Sequence, residues 1–160
     1  MRAQPMVNLM SEVEIWLVVA ATVVAVVACV ALHYEGLRLL GKVKITRVSH
    51  RHRIIFMILC ILLLHTIEIW IFGVTYYLLL LEGSVGSLVG IPEANIFDVV
   101  YFSATVFSTL GFGDIIPTGA IRFVTGTESL AGLTLITWSA SFTFIEMNKI
   151  YESENGSEDD

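Results

Sequence analysis

Residues 108–114 read Ser108-Thr109-Leu110-Gly111-Phe112-Gly113-Asp114, and this stretch decides the fold. Glycines at alternate positions, 111 and 113, admit backbone torsions that a Cβ resists, so successive carbonyl oxygens can be turned the same way. Extended at ~3.3 Å per residue, five residues cover ~16 Å, about half the thickness of a hydrocarbon layer.

Immediately upstream, Ile96, Phe97, Val99, Val100, Phe102, Val106 and Phe107 predict a helix over 96–108, with Asn95 or Asp98 as its cap. At ~20 Å such a helix is too short to cross a bilayer. A half-span helix followed by glycines implies re-entry: the chain dips in and returns. Carbonyls left unpaired at that depth cost several kcal/mol each unless they are buried in protein or line an aqueous path. One chain cannot enclose such a path, whereas several copies around an axis can, and rings of carbonyls then replace a cation's hydration shell.

Three long apolar runs flank this segment. Ile15–Leu32 predicts a spanning helix over 12–34, Ile54–Leu81 a second over 54–81, and 121–146 a third. The third carries Gly126, Glu128, Gly132 and a series of Thr and Ser hydroxyls, which suit close packing or a wet cavity better than lipid. The composition agrees. The 160 residues are 56% hydrophobic and 15% charged, with mean hydropathy +0.79, against about 25% charged in ordinary soluble domains, which excludes a water-soluble globule. The length leaves no room for an independent ligand-binding or catalytic domain beside the spans.

Six of the nine Lys and Arg residues, Arg38, Lys42, Lys44, Arg47, Arg51 and Arg53, fall in the connection 35–53. By the positive-inside rule that connection is cytoplasmic, so the N-terminus and residues 82–120 are external and the C-terminus internal. The same cations are candidates for binding anionic lipid, or serve only as a topological signal. The acidic tail 147–160 reads as a disordered end. A cleaved leader is not expected, because the apolar run is long and Arg2 stands against Glu12 and Glu14. The box Val26-Val27-Ala28-Cys29 before a lipidated cysteine is rejected because it would leave the basic connection outside. Cys29 and Cys60, both within spans, read as buried thiols.

Residues 108–114 resemble the T-V-G-Y-G-D filter of potassium channels, with Leu for Val and Phe for Tyr. Tyr101-Phe102 before it, Pro117 after it, Arg122 opening the next helix and Gly132 further on match the pore-domain pattern over 54–146. HYEGLRLL (33–40), HTIEIW (65–70) and Ser139 resemble small bacterial ion-channel proteins with an extra N-terminal helix. The resemblance implies an all-α membrane protein, with three transmembrane helices plus a re-entrant pore helix and filter loop, assembled as a homotetramer. It implies potassium ions bound at Thr109, Leu110, Gly111, Phe112 and Gly113, with Asp114 and Thr105 as filter support and Gly132 as inner-helix hinge. Glu128, four residues before Gly132 on the same stripe, either supports the filter by hydrogen-bonding behind it or faces the permeation path. No cofactor, nucleic acid or catalytic role is implied.

Two departures bear on selectivity. Phe112 lacks the phenol hydroxyl that braces the usual filter, and Leu110 alters the packing behind it, so discrimination against sodium or filter stability is expected to be lower. Thr105 stands where some members carry a carboxylate, so Asp114 is expected to lack an acidic partner there. A weakly selective cation channel and a non-conducting sensor or assembly subunit are the alternatives. His65 and Glu68, three apart, share a helix face. They form either a proton- or metal-responsive site or a hydrogen bond that fixes the helix. That pair supplies two metal ligands, whereas a catalytic zinc site needs three. No arginine series marks a voltage sensor, and no metalloprotease or phosphate-loop motif is present.

Overall fold

The computed structural model describes residues 4–42, 50–91 and 95–155. In chain order the elements are α1 (Gln4–Lys42), α2 (His50–Leu81), β1 (Leu88–Val89), α3 (Ile96–Phe107), β2 (Ile116–Pro117) and α4 (Ile121–Asn155). Three of the helices hold segments long and apolar enough to cross a membrane, Glu12–Lys42, Arg51–Leu81 and Ile121–Lys149. The chain is an all-α, multi-pass membrane protein whose short fourth helix, α3, does not span.

Each long helix buries one stripe at coiled-coil-like spacing. On α1 it is Val18, Thr22, Ala25, Cys29, His33 and Leu37. On α2 it is Met57, Ile61, Leu64, Glu68, Phe72, Tyr76 and Leu79. On α4 Ile121, Val124, Glu128, Leu135, Ser139 and Glu146 face inward, with Gly132 in the same row. The other faces expose Trp16, Val24, Leu59, Leu63, Leu78, Leu130 and Phe144, as a lipid- or partner-facing surface does. Helix α3 inserts between α2 and α4, and α1 packs against the outside of that pair.

Several helix bounds and one strand pair differ from the sequence reading, and α1 already begins at Gln4 where a start at 12 was expected. Helix α1 continues past residue 34 to Lys42, because Leu37 and Leu40 pack on Met57 and Ile61 and Glu35 pairs with Arg38 at 3.0 Å one turn on. The expected connection 35–53 is therefore helical at both ends; its remaining residues, Lys44 and Arg47 among them, lie outside the described residues. Helix α4 continues beyond 146 to Asn155, so most of the expected disordered tail is helical; 156–160 lie outside the described residues. Glu146 anchors that extension, lying 2.6 Å from Lys149 and 3.5 Å from Arg53. The antiparallel ladder of β1 and β2, which pairs Leu88 with Pro117 and Val89 with Ile116, has no counterpart in the sequence reading. It ties the loop after α2 to the segment leaving the glycines.

Candidate functional site

Helix α3 starts where Asn95 accepts from the amides of Phe97 (2.7 Å) and Asp98 (3.1 Å), filling the cap expected at 95 or 98. It stops at Ser108, whose hydroxyl donates back to the Ala104 carbonyl at 2.7 Å. Thr109 then adopts φ 59°, a left-handed C′ position usually given to glycine. For a β-branched residue that conformation costs about 1–2 kcal/mol. The Thr109 amide donates to Val106 O at 2.9 Å, and the amides of Leu110 and Gly111 both donate to Thr105 O at 3.0 Å.

Because a trans peptide points its C=O opposite to its N–H, the carbonyls of Ser108, Thr109 and Leu110 are turned away from the α3 terminus. Gly111 and Gly113 continue the alternation with φ 53° and 80°. Handedness thus switches at 109, 111 and 113, which keeps successive peptide planes facing one way. The strand they form is open on one side: Leu110 and Phe112 are 59% and 64% exposed, and a Cβ at Gly111 or Gly113 would meet nothing within 4 Å. The C-terminal end of α3, with roughly half a negative charge, is aimed at its base.

The far end is held by Asp114, which accepts from the Tyr101 hydroxyl at 2.8 Å and from the Ile115 amide at 3.1 Å. That hydrogen bond keeps the Tyr101 proton in place and raises its phenol above the ordinary value. Thr105 donates to Phe102 O within its own helix, so it reaches the glycine segment through its carbonyl rather than its hydroxyl. Tyr101→Phe is expected to leave the fold intact and to weaken the anchoring of Asp114, read as faster amide hydrogen exchange over 111–115. Unchanged exchange would assign the Tyr101–Asp114 hydrogen bond no part in holding the segment.

Behind α3 lies Glu128, fully buried, accepting from Tyr76 Oη at 2.6 Å and from Ser103 Oγ at 2.5 Å. One carboxyl thereby joins α2, α3 and α4. Gly132, one turn further on, packs directly under the Phe107 carbonyl, with which an added Cβ would collide. What the geometry supplies at Gly132 is close approach of two backbones.

A second polar layer lies deeper in the bundle. Glu68, also fully buried, meets His65 Nδ1 at 2.8 Å, and its other oxygen meets His33 Nδ1 at 2.8 Å. His33 comes from α1, and its Nε2 lies 3.3 Å from Ser139 Oγ on α4. The donor atoms of His33, His65 and Glu68 all lie within 4.8 Å of one another. Sequence reasoning paired His65 with Glu68 but missed His33. The available signal was a histidine at the end of an apolar run, unpartnered by any neighbour on its own turn. Tyr76 and Ser103, which flank Glu128, were missed as well.

Arg38 and Arg53 are each engaged by a carboxylate, and Lys42 and Arg51 are exposed. A family model described as "Ion channel" matches residues 56–149, more than half of the chain. No curated protein and no solved structure matches.

Proposed function

The chain belongs to the ion channel family, and from that premise we propose that four copies form a potassium-selective channel conducting through the main-chain carbonyls of Thr109, Leu110, Gly111, Phe112 and Gly113. The observation that carries this reading is the alternating backbone of 109–113, whose first three amides are tied back to the Val106 and Thr105 carbonyls, so that its own carbonyls turn to the open side. That exposure in a single protomer is what a segment completed by neighbouring copies requires. The dipole of α3 favours a cation at the base of the path, and carbonyl rings suit a dehydrated monovalent ion.

A weakly selective cation channel is the second reading, favoured by Phe112, which offers no hydroxyl to brace the segment from behind. The basic connection is assigned to the cytoplasmic side, which sets both the external N-terminus and the internal C-terminus; Arg38, Lys42, Lys44, Arg47, Arg51 and Arg53 are its candidate contacts with anionic lipid. No cofactor and no catalytic chemistry enters.

Purified protein in liposomes under opposed potassium and sodium gradients tests the reading. A reversal potential following potassium supports the first reading, one midway between the two ions supports the second, and absence of flux removes both. Gly113→Ala, forced to place a Cβ at φ 80°, is expected to abolish selective flux while the tetramer still assembles. A non-conducting assembly subunit would be indifferent to that change.

A further inference from the structure

We propose that His33, His65 and Glu68 form a binding site for a divalent first-row transition ion, Zn2+ foremost, which fastens the N-terminal helix to the pore domain. Charge, donor set and position each lead there.

Glu68 is fully buried within a spanning helix, and among the described residues its ion-pair partners are the two histidines alone, with no Lys or Arg. No permanently charged cation therefore faces this carboxyl, in a medium where an isolated charge is costly. A divalent cation supplies the missing charge. Two imidazole nitrogens and a carboxylate are also the donor set that zinc takes in three-ligand sites that leave one position open. The present separations of 2.8 Å are those of hydrogen bonds. An ion bonded at about 2.0–2.1 Å in a tetrahedron sets its donors roughly 3.3 Å apart, so these two contacts open while the donor atoms, all now within 4.8 Å of one another, draw around the ion.

The second layer fits as well. A metal-bound imidazole needs its outer N–H anchored, and Nε2 of His33 faces Ser139 Oγ on α4. His33 and Glu68 are fully buried, whereas His65 is partly exposed beside a groove between α2 and α4 bordered by Leu62, Ile136 and Ala140. That side is the open one for a fourth ligand. The His65 ring lies 5.8 Å from Phe107, the last residue of α3 and the one seated on Gly132. An ion there ties α1 and α2 together directly beneath the seat of the pore helix.

The test uses the full chain purified in detergent, stripped with a chelator and then exposed to Zn2+ or Co2+. Expected are one ion per chain, a visible Co2+ absorption band, and a thermal midpoint raised by Zn2+. His33→Gln and Glu68→Gln should abolish uptake, and Ser139→Ala, which touches no metal, should weaken it about 10–100-fold. Ser139→Ala keeps the ligands in place if either ligand variant fails to fold. Wild-type protein that takes up neither ion, or uptake that persists in His33→Gln and Glu68→Gln, overturns the site. Sensitivity of flux to pH alone, without metal uptake, also overturns it and makes the network a proton site. Binding does not depend on conduction: potassium flux without metal uptake refutes only this site, and metal uptake without flux refutes only the channel reading.

Discussion

Gly132→Ala is expected to unseat α3 and to destabilise the protein by about 3 kcal/mol, the upper end for overpacking, because the added Cβ meets backbone and not a side chain that can swing away. The carbonyl, carbonyl carbon and Cα of Phe107 all stand in its path. Displacing them moves Thr109, whose amide is bonded three residues back to Val106 O, so flux should be lost together with stability. Gly126 on the same helix is the control. A Cβ there meets nothing within 4 Å, and alanine should be neutral or gain up to about 1 kcal/mol from helix propensity. Thermal unfolding of both variants in detergent separates this role from that of a hinge. A hinge glycine replaced by alanine would alter gating with the melting temperature unchanged, and that result would remove the packing argument.

The second large effect is expected at Glu128. Truncation to alanine removes the carboxylate that Tyr76 and Ser103 share, leaving Tyr76 a longer contact to Thr125 Oγ1 at 3.3 Å and Ser103 the Ile69 carbonyl at 2.9 Å, and opens a cavity among three helices. Two lost hydrogen bonds to the carboxyl at about 1–2 kcal/mol each, with a cavity term added, put the loss for Glu128→Ala on the order of 3 kcal/mol. Glu128→Gln keeps one oxygen and nearly the same shape and should lose about a third of that. The ordering Ala far below Gln, with Gln below wild type, is the signature of a hydrogen-bonding role. Should both variants retain wild-type stability but change single-channel conductance, Glu128 would instead act on the permeating ion through its charge.

Both effects come from close contacts behind the 109–113 segment, and these were legible in the sequence to different degrees. Gly111, Gly113 and the apolar helix before them could be read directly because their meaning is local: a torsion that needs no Cβ, and a helix too short to span. Thr109 in the left-handed region was not legible, since a β-branched residue is the last expected there. Gly132 was noticed by resemblance, but its reason, the Phe107 carbonyl pressed against it, involves residues 25 apart in the chain. The extension of α1 beyond residue 34 was missed for a similar cause. Charged residues ended the apolar run, while the packing of Leu37 and Leu40 on α2 carried the helix on.

The sequence alone determined that this chain crosses a membrane three times, that a half-span helix and a glycine-alternating segment lie between the second and third crossings, and that the basic residues gather in one connection. Each of these follows from composition measured against bilayer thickness or from the torsional freedom of single residues. The tertiary structure alone decided which stripe of each helix faces inward, and therefore that His33, Glu68, His65 and Ser139 form one layer and Tyr76, Ser103 and Glu128 another. The physical reason is that a spanning helix is apolar on its lipid face and its protein face alike. Its pattern then carries no direction, and only packing against the other helices supplies one.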